Sequence, residues 1–222
     1  MKKIFLLALL LLFVPLLASC GTNEEGVIRN NMSDLRINYF EGIGTYFSAT
    51  MSCGYREEVF DYNGICTKPV ECGVITIRYF ETHNYYSITA IINIDGNERE
   101  VNLQRSPYED MYMVDIETLL TKDNCVSIHL KNQTEIVDLI EISSGWKIDH
   151  KKAISIGTKH YEKEIKSITQ NNKVLGEAYL KIVANDKFDK KFWYFSIIDN
   201  KNNVFFCLID VNGVNVISNL SN

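Results

Sequence analysis

Segments of alternating β-branched and aromatic residues recur along this chain, and they constrain its fold more than any other feature. In "TYFSATMSC" (45–53), apolar and polar positions alternate, which places Phe47, Ala49, Met51 and Cys53 on one face. Such alternation is typical of a half-buried β-strand, because successive side chains of a strand point to opposite faces. We therefore predict a chain that is rich in antiparallel β-structure.

Three further segments predict consecutive strands. "GVITIRYF" and "YYSITAIINI" are rich in β-branched and aromatic residues, and "NEREVNLQ" follows the second of them. Asp95 and Gly96 lie between the last two segments, and this dipeptide is a strong signal for a two-residue hairpin turn. We predict that the three strands form a meander from about Gly73 to Gln104.

The next stretch has two interpretations. Ser106, Pro107 and Glu109 have the spacing of a helix cap, a first-turn proline and a capping box. The apolar residues from Tyr112 to Ile116 also alternate, as they would in a strand. We expect a helix at least over residues 115–121, followed by strands in "CVSIHL" and "EIVDLIEI".

The last third of the sequence predicts a helix that packs on an antiparallel sheet. Asp149 is placed to cap the helix, whereas Gly157 weakens it. The apolar positions of the helix lie on one stripe: Ile154, Tyr161, Ile165 and Ile168. Strands are predicted in "EAYLKIVA", "KFWYFSII" and "NVFFCLIDV", and in "VNVIS" after the turn at Asn212-Gly213.

This stretch, "AYLKIVA…FWYFSIIDNKNNVFFCLIDVNGVNVI" after a helix, resembles the PepSY-like domains of secreted and membrane-anchored bacterial proteins. The shared features are the aromatic W-Y hairpin, the "IDVNG" turn and the short final strand. The resemblance implies a binding or inhibitory module and supplies no catalytic residue. With the strands above, it gives an expected α+β fold: an antiparallel β-rich domain at 34–147, then a PepSY-like domain of one helix on a sheet at 148–222.

The N-terminus predicts export and lipid anchoring. Lys2 and Lys3 precede an apolar run that is too short to span a bilayer, as in a secretory signal. Residues 17–20, "LASC", resemble the lipobox of bacterial lipoproteins. The resemblance implies a signal peptide at 1–19 and a diacylglyceryl group on Cys20, while an ordinary secretory signal is the alternative.

These N-terminal features predict where the protein is located. The polar residues 20–33 are expected to form a tether. The folded part is then expected at the outer face of the cell membrane, in the bacterial cell envelope. The lipid attached to Cys20 would anchor it to that membrane.

Charge and composition limit the classes of function. The net charge is −5 at pH 7, and no stripe of basic residues is present, so nucleic acid is not an expected partner. Hydrophobic residues make up 46% of the chain, which is enough for a packed core rather than a disordered segment. The expected partners are the membrane and an unidentified protein or envelope polymer.

The cysteines allow a disulfide but do not predict a metal site. An exported chain can form disulfides, and Cys53, Cys66 and Cys72 are close enough in sequence for two of them to pair. The simplest interpretation leaves them unpaired. Cys125 and Cys207 lie in apolar strand segments and are expected to be small buried hydrophobic residues. The spacing of the cysteines and histidines matches no metal motif, so no metal and no cofactor are expected.

No sequence motif indicates catalysis. The most polar loop contains a possible ligand-binding set: Arg56, Glu57, Glu58, Asp61 and Tyr62. An ordinary exposed loop is the simpler interpretation. The leading hypothesis is a membrane-anchored extracytoplasmic lipoprotein that acts as a non-catalytic binding or regulatory module. The alternatives are an envelope hydrolase whose carboxylates come from distant residues and a structural subunit of a membrane complex.

Overall fold

A computed structural model describes residues 24–58, 69–107, 110–185, 190–213 and 216–218. The first eight strands of the described chain form one closed antiparallel barrel. Their bounds are β1 Met32–Ile43, β2 Phe47–Glu57, β3 Pro69–Tyr79, β4 Ser87–Ile94, β5 Asn97–Arg105, β6 Tyr112–Ile116, β7 Val126–Leu130 and β8 Ile136–Glu141.

The barrel has the strand order β1-β2-β3-β6-β5-β4-β7-β8 and closes where β8 pairs with β1. At the closure, Phe40 pairs with Glu141 and Glu41 pairs with Ile140. Closure satisfies the backbone groups that edge strands would otherwise expose. The barrel interior is filled by one cluster of apolar side chains that includes Phe47, so it is a packed core and not a channel.

The alternation in β2 is confirmed. Phe47, Ala49, Met51 and Cys53 are all at most 1% exposed and belong to the barrel core. The tight turn after β4 is also confirmed, because β4 and β5 pair from Ile94 and Asn97 outward. Both turn residues have positive φ, 51° at Asp95 and 85° at Gly96, as a two-residue turn of this hand requires.

The predicted three-strand meander is wrong at its first connection. β3 pairs with β6, and β5 lies between β6 and β4. The seven residues between Tyr79 and Ser87 leave β3 free to pair elsewhere, whereas the two-residue turn forces β4 and β5 together. The short connection explains why the β4–β5 pairing could be predicted, and the longer one explains why the partner of β3 could not.

The helix expected over 115–121 is also wrong. Tyr112–Ile116 is the strand β6, which pairs with β3 over its whole length, and no helix follows it before β7 among the described residues. Tyr112 and Ile116 point into the barrel core, as the strand interpretation of the alternating pattern requires. Burial on a sheet face outweighs the local capping signal.

A second sheet is built from the C-terminal part of the chain. Its strands follow the order β11-β12-β13-β14 and pair antiparallel with one another. The elements after the barrel are a 3-10 turn Ser143–Gly145, α2 His150–His160, α3 Glu162–Ile168, β9 Thr169–Gln170, β10 Lys173–Val174, β11 Gly176–Asn185, β12 Lys190–Asp199, β13 Val204–Asp210 and β14 Val216–Ser218.

The helix start at Asp149 is confirmed, since its carboxylate accepts a 2.8 Å hydrogen bond from the backbone N–H of Lys152. The helical region is divided at Tyr161, which separates α2 from α3. Gly157 faces the ring of Phe195 on β12, and a Cβ atom there would lie 2.3 Å from the ring. The glycine thus lets α2 approach the sheet closely.

Part of the segment predicted as a tether is helical. Glu24–Asn30 forms α1, and Val27 and Ile28 are buried in a second apolar cluster. This cluster also contains residues of α2, α3 and the second sheet, among them Trp193. The short apolar pair escaped the sequence analysis because most residues of its cluster lie more than 100 positions away. The described chain therefore has two cores, and the division at 147/148 stays a prediction.

Strand β1 belongs to both sheets. Its N-terminal half pairs in parallel with β11, where Leu35 pairs with Leu180, and its C-terminal half pairs with β8. The register to β11 shifts between Met32 and Asp34, which marks a bulge at Ser33. Glu41 on β1 also forms a 2.8 Å ion pair with Lys191 on β12. These contacts join the second sheet to the barrel wall.

The predicted α+β class with a PepSY-like arrangement is wrong. The described chain is 57% strand and 16% helix, with an eight-stranded closed antiparallel barrel and three α-helices. The long-range pairings of β8 with β1 and of β1 with β11 left no local sequence signal, so the barrel and the shared sheet could not be derived from periodicity. In the part of the chain that is described, the helices are too short or too polar to cross a bilayer.

Candidate functional site

A pocket lies at one end of the barrel, which we call the rim. Four connections meet there: those between β1 and β2, β3 and β4, β5 and β6, and β7 and β8. The rim pocket has a volume of about 390 Å³, which is large enough for a small ligand. Its lining residues are Tyr79, His83, Tyr85, Ser87, Ile88, Thr89, Leu130, Lys131, Asn132 and Gln133.

Aromatic rings form one wall of the rim pocket. The imidazole of His83 stacks on Tyr85, with ring centroids 5.5 Å apart and planes 15° apart. It meets Tyr79 edge-on at 4.4 Å. Burial, then the nearby Tyr112 and Tyr85 hydroxyls, raise the pKa of Tyr79, so its hydroxyl stays protonated at neutral pH. The wall thus presents flat aromatic rings to the pocket.

The loop that carries this wall is held by the barrel itself. The buried hydroxyl of Tyr112 donates a 3.0 Å hydrogen bond to the carbonyl oxygen of Tyr85. The backbone N–H of Arg105 donates to the carbonyl oxygen of Tyr86 at 3.1 Å. A loop fixed by strand residues can present its rings in one arrangement, which lowers the entropy cost of binding.

The opposite wall is polar and comes from the connection after β7. Its shape is fixed by two backbone hydrogen bonds: Lys131 N–H to Thr89 at 3.0 Å and Gln133 N–H to Leu130 at 2.9 Å. The side-chain oxygen Oε1 of Gln133 is buried and accepts no hydrogen bond in the structure. A buried acceptor without a donor is costly, so this oxygen is suited to a donor from a ligand.

Large apolar side chains surround the rim and are open to solvent. Tyr86 is the most exposed of them, at 86%. The others at this end of the barrel are Ile43, Tyr46, Phe80, Tyr85 and Ile136. Exposed apolar side chains concentrated in this way are typical of interaction surfaces.

A second concavity of about 360 Å³ runs across the outer wall of the barrel, beneath β11. We call it the outer groove. Its floor is formed by hydroxyl-bearing side chains of β2 and β3, and Lys181 to Ala184 of β11 form its side. Asp34 and Arg36 at its end form a buried ion pair, with Nε and Oδ1 2.8 Å apart. The charges at this end are therefore already paired.

The predicted ligand loop is divided by the structure. Arg56 and Glu57 are the last residues of β2, and Glu58 follows them as an exposed residue. Arg56 forms an ion pair with Asp115 on β6, whereas Glu57 is buried, at 3% exposure. None of these three side chains lines the rim pocket or the outer groove. Asp61 and Tyr62 lie outside the described residues, as does Cys20.

Four cysteines lie in the described part of the chain, and all four are free thiols. Cys53 and Cys72 are buried and unpaired, while Cys66, the third member of the predicted set, lies outside the described residues. Burial raises the pKa of Cys53 to about 11 and that of Cys207 to about 12. Cys207 is buried as predicted; Cys125 is exposed, so that prediction is wrong.

The sequence analysis missed the rim pocket. Its aromatic wall lies in "ETHNYY", which was interpreted only as a strand connection, and Gln133 lies in another connection almost 50 residues later. Two tyrosines beside a histidine in a loop were the one available signal. Within the described residues, no group of three or more histidine, cysteine or acidic side chains is placed to hold a metal. Comparison with protein-family models, curated proteins and solved structures finds no match.

Proposed function

We propose that this chain is a lipid-anchored extracytoplasmic protein whose rim pocket binds a saccharide unit of an envelope polymer without turning it over. The observation that supports this function is the rim pocket itself. It combines stacked aromatic rings, two amide side chains and the unpartnered Gln133 oxygen. Flat rings suit the apolar face of a sugar, and amides suit its hydroxyl groups.

The direction of β1 fits an anchored binding protein. β1 has twelve residues from Met32, which follows α1, to Ile43 at the rim. At about 3.3 Å per residue, β1 is roughly 36 Å long along its own path, so α1 and the rim lie at opposite ends of this strand. A lipid on Cys20 would then leave the exposed rings of the rim directed away from the membrane. The lipobox resemblance of residues 17–20 supports the anchor.

The binding part of the proposal is tested with the full chain purified in detergent. The probes are oligomers of N-acetylglucosamine and soluble peptidoglycan fragments, with binding followed by calorimetry. Tyr85→Ala removes a ring from the pocket, and Tyr86→Ala removes its exposed neighbour, which does not line the pocket. We expect Tyr85→Ala to weaken binding by about tenfold or more, as the loss of roughly 1.4 kcal/mol requires, and Tyr86→Ala to leave it nearly unchanged.

Gln133→Met supplies a second variant, because it keeps the volume of the side chain and removes the acceptor. It should weaken binding of the same probe. Equal affinity in all variants, or no saccharide binding together with binding of a protein at the rim, would overturn the saccharide proposal.

The anchor is tested separately in the native host. Cys20→Ala should move the protein from the membrane fraction to the aqueous fraction, because alanine has no thiol to carry the acyl chains that would hold the protein on the membrane. Mass spectrometry of the native protein should show a diacylglyceryl group on Cys20. An unmodified N-terminus would contradict the anchor and leave the binding proposal standing.

A further inference from the structure

Two glutamates that are 120 positions apart in the sequence are buried on either side of β1. Glu57 follows Arg56, which pairs with Asp34 on β1, and Glu177 precedes Ala178, which pairs with Met32. The bulge at Ser33 therefore lies between them. Glu57 is 3% exposed and Glu177 is 2% exposed, so both carboxyl groups are removed from solvent.

Each carboxyl group has one buried oxygen without a hydrogen-bond partner. Oε2 of Glu57 and Oε1 of Glu177 are buried and make no hydrogen bond. No cationic nitrogen of a described residue lies within 4.0 Å of either group. Burial of an unpaired carboxylate costs several kcal/mol, so a pair of them requires something that neutralises the charge.

The nearby cations are occupied elsewhere. Arg36 Nε lies 2.8 Å from Oδ1 of Asp34, and Lys181 Nζ lies 3.6 Å from Oδ2 of the same carboxylate. Lys181 also lies over the ring of Tyr179, at 5.0 Å from its centroid. Asp34 thus takes up both positive charges, and Glu57 and Glu177 keep free oxygens.

Glu57 also acts electrostatically on Glu177. Burial raises the pKa of Glu177, and the charge of Glu57 raises it further, against a smaller opposite effect of Lys181. The effect of Glu57 is electrostatic and does not include a hydrogen bond between the two carboxyl groups. A shared proton would need such a bond, whereas a bridging ion would hold the carboxyl groups apart.

We propose that Glu57 and Glu177 bind a calcium ion at the junction of the barrel and the second sheet. Calcium takes six to eight oxygen ligands at about 2.3–2.6 Å and accepts irregular geometry. The two carboxylates supply up to four of these oxygens, and water molecules can supply the others. Magnesium fits less well, because it demands near-ideal octahedral geometry and gives up its water reluctantly.

Calcium at this position would connect β2 of the barrel to β11 of the second sheet. The connection is otherwise made through β1 and through the ion pair of Glu41 and Lys191. A bound ion stabilises the folded state by mass action, so the chain should melt at a higher temperature in calcium than in a chelator.

The test uses the full chain in detergent, with calcium chloride as the probe. Equilibrium dialysis measures the stoichiometry and affinity, and thermal unfolding is followed in calcium and in chelator. Glu57→Gln and Glu177→Gln keep the side-chain shape and remove the charge, so they are expected to fold. Glu58→Gln is the matched control, because Glu58 is the exposed residue next to Glu57.

We expect one calcium per chain in the unchanged protein and in Glu58→Gln, with a higher melting temperature than in chelator. Each of the other two variants should bind calcium at least about tenfold more weakly and lose the shift. An equal shift in all four proteins would indicate non-specific binding and overturn the proposal. A second result would also overturn the proposal: no calcium binding, together with a higher melting temperature in acid that is lost in Glu57→Gln. That result would show that the two carboxyl groups share a proton.

Discussion

Arg36 and Asp34 form an ion pair on β1 in which both side chains are almost completely buried, at 7% and 6% exposure. The guanidinium Nη1 also donates a 3.3 Å hydrogen bond to the carbonyl oxygen of Ser52 on β2. Lys181 of β11 approaches the same carboxylate at 3.6 Å. The carboxylate of Asp34 is therefore the shared counter-ion of Arg36 in the barrel and Lys181 in the second sheet.

Removal of the Asp34 charge should destabilise the fold strongly. In Asp34→Asn, the guanidinium of Arg36 stays buried without its counter-ion, which costs about 3–5 kcal/mol. Asp115→Asn removes the partner of Arg56 in a pair that is half exposed, and there the loss should be about 0–1 kcal/mol. Urea unfolding of both variants measures the difference, and equal losses would contradict the central role of Asp34.

Gly157→Ala should destabilise the chain although alanine favours helices. The added methyl group would meet the ring of Phe195, and overpacking of this kind costs about 1–3 kcal/mol. The gain in helix propensity is only about 1 kcal/mol. Gly145→Ala serves as the control, since nothing lies within 4 Å of the added atom. A higher melting temperature for Gly157→Ala would show that α2 can move away from β12.

The cysteines should differ in their reactivity toward iodoacetamide. Cys125 is exposed, whereas Cys53 and Cys207 are buried with pKa values raised to about 11 and about 12. The thiolate is the reacting form, so at pH 8 the native chain should be alkylated at Cys125 and spared at Cys53 and Cys207. Peptide mass spectrometry before and after unfolding measures this. Rapid labelling of Cys207 in the native chain would show that the second core opens.

The turn at Asp95 should make a contribution to stability that acid removes. Its carboxylate accepts hydrogen bonds from the backbone N–H of Cys125 at 2.8 Å and from the amide of Asn124 at 2.6 Å, and these bonds lower its pKa. Because the folded pKa lies below the unfolded value, the contribution is complete above the unfolded pKa and disappears as the pH falls through the folded one.

The check on this turn is a comparison of Asp95→Asn with the unchanged chain by urea unfolding at several pH values. The variant should be less stable at pH 7, and the two should converge toward pH 2. A difference that stays constant over this range would mean that the charge of Asp95 does not strengthen the turn.

Local patterns predicted the elements whose partners are close in sequence. The strand β2, the hairpin at Asp95-Gly96 and the helix start at Asp149 were all predicted, because alternation, turn chemistry and capping act over a few residues. The helix expected over 115–121 was wrong, because the pairing of β6 with β3 and the burial of Tyr112 outweighed a capping pattern.

The candidate sites were harder to predict than the strands. Glu57 was singled out in an acidic loop, but its burial and its proximity to Glu177 depend on β1 lying between β2 and β11. The rim pocket likewise combines a loop after β3 with one after β7. In both cases, neither segment has a sequence pattern that predicts its spatial partner.

The sequence by itself determined that the chain is rich in strands, where its tight turns lie, and which side chains of β2 face the core. Only the tertiary structure decided that eight strands close into a barrel, that β1 serves two sheets, and which distant residues share a pocket. The physical reason is the distance along the sequence over which the interactions act. Side-chain alternation and turn geometry are set by neighbouring residues, whereas strand order is set by the burial that the whole chain achieves together.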